Sequence, residues 1–251
     1  MLKKISSLHE SYAMLTLIDP DNPHFPKLNP SNMPQDGLIA ASEIITPNMV
    51  QAAYRNGLFP WLKAHGYWLW FTQHPRAVIF PNQLHIGRNL RKALRQQRYQ
   101  VSVNRAFDDV IRACSTVPRA GQNGTWINHD IIQTYGALHQ QGNAHSFECW
   151  YPGHAGSLHL AGGFYGVQIG RVFYGESMFC QHDNASKIAF AHAVPYLRDC
   201  GVALIDCQQD TDHMRYFGSQ LLPIDQYCRL LLDLNDQPLT QSIQAINIAQ
   251  N

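Results

Sequence analysis

The 251-residue chain predicts an α+β protein: a small N-terminal domain over 1–74 and a larger mixed-sheet domain over 75–251. Three observations carry this. Residues 171–208 read as strand, helix, strand, which implies a βαβ crossover with parallel strands. Strand-like sequence from 144 to 179, turning at Ile169-Gly170, adds antiparallel neighbours. A dense aromatic segment, Phe59 to Phe71, precedes both.

Composition narrows the class. Apolar residues make up 45% and charged residues 15% of the chain, a globular balance. Net charge is +1, so nucleic-acid binding needs a local patch rather than a global field. The six cysteines show no CxxC spacing and read as reduced, pointing to the cytoplasm. Ser6, Ser7, His9 and Glu10 interrupt any apolar region behind the basic start, so no signal peptide is expected. No apolar run approaches the roughly 20 residues of a membrane span. The 13 histidines lack HExxH spacing, so no metal is expected.

In chain order, residues 1–36 read as a Pro-rich surface arm. A helix begins after Thr46 with Pro47 at its first position and ends at Gly57. Strand-like sequence over 76–80 opens the larger domain. The segment 86–98 is a basic amphipathic helix: Arg88, Arg91, Lys92, Arg95 and Arg98 fall within about one third of its circumference. Ile86, Leu90, Ala93 and Leu94 occupy the other face. That face carries no acid, which points to a phosphate backbone. A strand over 99–103, a helix over 105–114, a loop over 121–126, a helix over 130–141 and a strand over 144–151 follow. After a Gly/His loop at 152–157 comes a hairpin of 158–167 with 171–179.

The most informative stretch starts there. The strand 171–179 carries a single acid, Glu176, and runs through a polar turn into a helix N-capped by Asp183 or Asn184, a natural oxyanion or phosphate site. Phe190, Ala193, Val194 and Leu197 have helical spacing, and Gly201 is the stop. Val202–Gln208 is a short strand whose alternation places Asp206 and Gln208 on one face. Glu176 and Asp206 are expected near one carboxyl edge of the sheet, where such folds bind ligands. Residues 224–234 form a last helix, and the Gln/Asn-rich end is expected to fray.

Nine blocks lie in order: Tyr-Arg-Asn-Gly-Leu-Phe-Pro-Trp (54–61), Pro-Arg-Ala-Val (75–78), Leu-His-Ile (84–86), Gly-Thr-Trp-Ile (124–127), Ala-His-Ser (144–146), Gly-Gly-Phe-Tyr-Gly-Val (162–167), Gly-Glu-Ser-Met-Phe (175–179), Asn-Ala-Ser-Lys (184–187) and Leu-Ile-Asp-Cys-Gln (204–208). Together they resemble the leucyl/phenylalanyl-tRNA–protein transferases. The resemblance implies that Leu or Phe, and less readily Met, passes from aminoacyl-tRNA to the N-terminal Arg or Lys of a protein, creating an N-degron. It implies no cofactor, because the aminoacyl ester is already activated, and a GNAT-like (acyltransferase) larger domain. A monomer without DNA or membrane partners is expected.

The resemblance also assigns roles. Asp206 and Gln208 act in proton removal and orientation, with Asp206 the better base and Gln208 orienting. Glu176 holds the cationic N-terminus, with an ion pair to Arg171 or Lys187 as its purely structural alternative. Trp61 and Trp126 contact the terminal adenosine of the tRNA, by the stacking that holds unpaired bases. The amino-acid pocket is expected to be apolar, with Phe164, Phe173, Phe190, Ala193, Leu197 and Ile205 as its candidates, of which Phe173 falls on a matched family position. Arg76 joins Arg88, Arg91, Lys92, Arg95 and Arg98 on the tRNA backbone.

Departures from the family pattern fall elsewhere: Ile39-Ala-Ala-Ser-Glu43 implies a different N-terminal turn, and Phe164 stands where Met is usual. Two other readings remain. One is an acyl-CoA-dependent N-acetyltransferase, although the turn 181–186 lacks the glycines that admit a pyrophosphate. The other is a non-catalytic RNA-binding module, which leaves the buried acids unexplained. Ser177 as a nucleophile lacks the closing glycine of an elbow.

Overall fold

Two sheets organise the computed structural model, which describes residues 15–28, 30–116, 125–153 and 157–249. The first sheet has four strands: β1 (Thr16–Leu17), β2 (Leu38–Ser42), β3 (Phe59–Ala64) and β4 (Tyr67–Phe71), in the order β1-β2-β4-β3. Helix α1 (Pro47–Arg55) links β2 to β3. It starts as its sequence dictates: Thr46 is the N-cap, its hydroxyl accepts from the Met49 amide at 3.3 Å, and Pro47 follows. Two expectations change here. The arm carries β1, which pairs parallel with β2. The anticipated turn near Ile39 is strand β2, buried on its inner face against the first core.

The second sheet has eight strands. They are β5 (Arg76–Ile79), β6 (Gln100–Val103), β7 (Ala144–Pro152), β8 (Leu158–Ile169), β9 (Val172–Cys180), β10 (Leu204–Gln208), β11 (Gln220–Leu222) and β12 (Asn247–Ala249). Their order is β11-β5-β10-β9-β8-β7-β6-β12. All neighbours are antiparallel except β9 and β10, which run parallel in the register Ile205 to Phe173 and Asp206 to Tyr174. The other α-helices among the described residues are α2 (Arg88–Gln96), α3 (Phe107–Thr116), α4 (His129–Gln140), α5 (Ala185–Cys200), α6 (Asp212–Tyr216) and α7 (Ile224–Leu234). The chain end does not fray through Ala249: Asn247 and Ala249 pair with Ser102 and Val101, closing the edge of β6.

Alternation along the central strands sorts their side chains onto two cores. Tyr165, Val167, Tyr174 and Phe179 face a core shared with the first sheet, α1, α3, α4 and α7. Phe147, Phe164, Phe173 and Ile205 face α5 and the buried side of α2. Helix α5 ends at Gly201 (φ 104°), as expected. Its start differs: Asn184 is the N-cap in a left-handed conformation with no side-chain capping bond. That start lies hard against β8, since a Cβ on Gly162 would stand 2.8 Å from the Ser186 amide nitrogen. Ala185 and Ser186 are therefore packed on the sheet, while residues 181–184 of the turn are exposed. The β8–β9 turn needs Gly170 (φ 56°), where a Cβ would meet the Leu234 and Asn235 carbonyl oxygens at 2.3 Å.

Candidate active site

A cavity of about 450 Å³ opens at the meeting of the two sheets. Phe59, Pro60 and Trp61 of β3 form one wall, and Trp126 stands beside them. The floor comes from β8, β9 and β10 through Phe164, Tyr165, Phe173, Glu176 and Ile205. Asp206, Cys207 and Gln208 at the end of β10, and Thr211, His213 and Met214 around α6, complete it. Among the expected side-chain pocket residues, Phe164, Phe173, Phe190 and Ile205 line this space. Ala193 and Leu197 do not: both are fully buried in the core behind α5. Helical periodicity marked the buried face of α5 correctly but could not say which of its turns reaches the cavity.

Glu176 is held from the small-sheet side. Tyr54 of α1 donates to its carboxylate, and the Tyr54 and Tyr135 hydroxyls are 2.8 Å apart. Tyr54 also stacks on Tyr174, with ring centroids at 4.7 Å. Tyr135 is delivered by α4, whose N-cap Asn128 accepts from the Ile131 amide. Burial pushes the Glu176 carboxyl up to about 8; the Tyr54 and Tyr135 hydrogen bonds pull it partly back and the Asp206 charge adds to the rise. An ion pair with Arg171 or Lys187 is not formed: Arg171 bonds the Gly201 carbonyl and Gln237, and Lys187 lies over the Tyr216 ring.

Asp206 is arranged differently from the sequence expectation. It is fully buried, and its carboxylate accepts from Arg76 Nε (2.8 Å), Arg76 Nη2 (2.7 Å), the Tyr227 hydroxyl (2.7 Å) and the Gln208 amide (2.8 Å). A carboxylate with its lone pairs filled by such donors is an anchor, because a buried charge is stable only when fully paired. Arg76 is likewise not a tRNA-backbone group. It is 0% exposed, lies between the Phe59 and Tyr227 rings, each at 4.9 Å, and donates to the Gly57 carbonyl. The reason is its place at the start of an inner strand, where the guanidinium points into the first core.

Simple alternation does not explain how Asp206 and Gln208 come together. A bulge between them shifts the register against β5, and Gln208 takes a left-handed conformation (φ 60°). The Gln208 side-chain amide then donates to the Gly175 carbonyl at 3.1 Å, beside Glu176. Cys207 also lines the cavity; burial pushes its thiol well up, which disfavours a thiolate nucleophile.

Outside the cavity, α2 buries Leu90 and exposes Arg88, Arg91, Lys92 and Arg95. No ion pair among the described residues engages them. Arg98 is exposed too, but it follows the left-handed Gln97 and leaves the helical phase. Part of the expected loop at 121–126 and of the loop at 152–157 lies outside the described residues. The sequence reading missed Tyr54, Tyr135 and His213 as site residues. Tyr54 and Tyr135 both lie within expected helices, and nothing local distinguishes an inward tyrosine from one that reaches an acid. No helix among the described residues is long and apolar enough to cross a membrane.

Comparison with known proteins follows the same lines as the geometry. Residues 78–232 match the family model described as leucyl/phenylalanyl-tRNA protein transferase. A protein of Neisseria meningitidis serogroup B named leucyl/phenylalanyl-tRNA–protein transferase is 50% identical over 235 residues, covering 94% of this chain and 98% of its own length. Proteins of the same name from Laribacter hongkongensis and Pseudomonas aeruginosa are 44% and 42% identical, covering 90% of this chain and 94% and 98% of their own lengths. The chain belongs to the leucyl/phenylalanyl-tRNA–protein transferase family.

Proposed function

We propose that the protein transfers Leu or Phe, and less readily Met, from aminoacyl-tRNA to the N-terminal Arg or Lys of acceptor proteins, making an N-degron in the cytoplasm. The observation that carries this is one cavity in which two tryptophans, an apolar floor and a single up-shifted carboxyl converge. Trp61 and Trp126 offer faces to the terminal adenosine. Phe164, Phe173, Phe190 and Ile205 receive the amino-acid side chain. The exposed cations of α2, with Arg98 beside them, take the tRNA backbone.

The chemistry follows from the groups present. A neutral α-amine attacks the ester carbonyl, the C–N bond forms and the C–O bond to the ribose breaks. One proton must leave the nitrogen and one must reach the departing oxygen. In its ionised form Glu176 pairs with the cationic N-terminus, and because its carboxyl is poised near the ordinary value of an α-amine, about 8, it can take the proton the amine must lose and return it to the departing oxygen. Gln208 orients the reacting groups through its side-chain oxygen. Asp206 is a positioning residue that fixes Gln208 through its backbone amide and is itself fixed by Arg76. The parallel β9–α5–β10 unit supports reading 75–251 as a GNAT-like domain and 1–74 as a separate small one.

The test uses radiolabelled Phe-tRNA with a peptide beginning in Arg and an otherwise identical peptide beginning in Ala. Label on the Arg peptide alone is expected. Label on neither, with acetyl-CoA accepted instead, would replace this reading by N-acetyl transfer.

A further inference from the structure

Lys187 differs from every other cation among the described residues: it is half-buried and yet has neither a hydrogen bond nor an ion pair with any of them. Arg76 is fully buried but paired, and Arg171 is half-buried but bonded to the Gly201 carbonyl and Gln237. The remaining unpaired cations, those of α2 among them, are exposed. Lys187 is the third residue of α5, whose first turn holds no acid, so the helix dipole disfavours its charge. Partial removal from water disfavours it again. Its contact among the described residues is the Tyr216 ring, whose centroid lies 4.8 Å from Nζ. The acids around α6 are engaged elsewhere, since Asp210 and Asp212 both pair with Arg215.

Helix α6 joins the two places that the transfer reading gives to the donor tRNA. His213 and Met214 line the cavity. Tyr216 lies against the start of α2, where a Cβ on Gly87 would stand 2.8 Å from its hydroxyl oxygen. Lys187 sits over that tyrosine. Its charge also reaches His213: burial pushes the imidazole down to about 4, and the Lys187 ammonium adds to the fall. The ammonium is thus close to the cavity wall on one side and to the cationic helix on the other.

We propose that Lys187 holds a phosphate of the unpaired 3′ end of the donor tRNA on its way from the cavity to α2. An ammonium with three donors and no carboxylate beside it suits a phosphodiester oxygen. The phosphate supplies the counter-charge that this half-buried cation lacks. A strand whose terminal adenosine is in the cavity and whose stem rests on α2 runs past α6, so the contact fixes its path and not its sequence. This rests on the transfer reaction proposed above.

The experiment compares three donors carrying Phe: Phe-tRNA, the 3′-phenylalanyl trinucleotide CCA, and phenylalanyl-adenosine, which has no phosphate. Wild type, Lys187→Met and Lys187→Arg are measured with one Arg-initiated peptide. Lys187→Met keeps the stem over Tyr216 without the charge. It is expected to lose about tenfold in kcat/KM with the trinucleotide and with Phe-tRNA, and Lys187→Arg should recover most of that loss. Phenylalanyl-adenosine should serve all three proteins alike, which also controls for folding. The affinity of the uncharged trinucleotide should fall similarly, and its slope against log salt should drop by about 0.7, the value of one contact on a single strand. An equal loss with phenylalanyl-adenosine would overturn the contact, as would wild-type affinity and transfer with the trinucleotide in Lys187→Met. If wild type transfers nothing from Phe-tRNA, the transfer reading fails instead, and the trinucleotide affinities of wild type and Lys187→Met still decide whether Lys187 binds RNA.

Discussion

Glu176 is the residue whose ionisation should reach stability and, in the proposed reaction, rate. Its folded value, about 8, lies above the reference of 4.5. Between those values the unfolded chain has released a proton that the folded chain keeps, so stability falls as pH rises through this window and levels off above it. Glu176→Gln should remove that slope. Relative to wild type, the variant is expected to gain a few °C in Tm at pH 8 compared with pH 5, as followed by calorimetry. Its transfer to an Arg peptide should drop by about 10²–10⁴-fold while Phe-tRNA affinity stays within twofold; unchanged peptide kinetics would rule out the proposed role. Wild-type kcat/KM should also rise with pH through an inflection near the Glu176 value, and Glu176→Gln should lose that component. Asp206 behaves differently because both members of its pair are fully buried. Asp206→Asn leaves the Arg76 charge without its counterion, so a loss of about 3–5 kcal/mol in denaturant unfolding is expected.

Helix α2 packs by one face and offers its cations on the other. Leu90 anchors it, while Arg88, Arg91, Lys92 and Arg95 keep their charges in solvent. Each cation on a phosphate adds about one to the slope of log affinity against log salt. Arg91→Ala with Lys92→Ala should therefore lower the slope for Phe-tRNA by about two. Transfer from a phenylalanyl-adenosine donor, which has no backbone to hold, should be unchanged. A slope equal to that of wild type would show that α2 does not touch the tRNA. The charge pattern of this helix was legible because its period and its lack of acids are local. Strand β12 was not legible. Its Gln- and Asn-rich surroundings carry no apolar alternation, and its order comes from the free edge of β6, about 145 residues earlier in the chain.

The molecule as a whole is tied together at Arg76. This side chain bonds the Gly57 carbonyl after α1, touches Phe59 of the first sheet and Tyr227 of α7, and pairs with Asp206 of the second sheet. The buried core on that side is continuous across both sheets. A single cooperative unfolding transition is therefore expected, and Arg76→Met should lower it by several kcal/mol while splitting or broadening it. Calorimetry in which the variant keeps one sharp transition at the wild-type temperature would contradict this. By itself the sequence determined the class of fold, the strand–helix–strand around Glu176 and Asp206, the start of α1 after Thr46, and the basic face of α2. Each of these rests on spacing within a few residues, where periodicity, proline and capping side chains act directly. Tertiary structure alone decided the rest. It sent Arg76 inward to Asp206 and joined Tyr54 to Tyr135 across 81 residues and to Glu176 across 122 residues of sequence. It also brought His213 of α6 to the cavity wall beside residues of β3 and β9. A buried charge or hydroxyl is placed by whichever partner the packed chain brings within about 3 Å, and local spacing does not encode that partner.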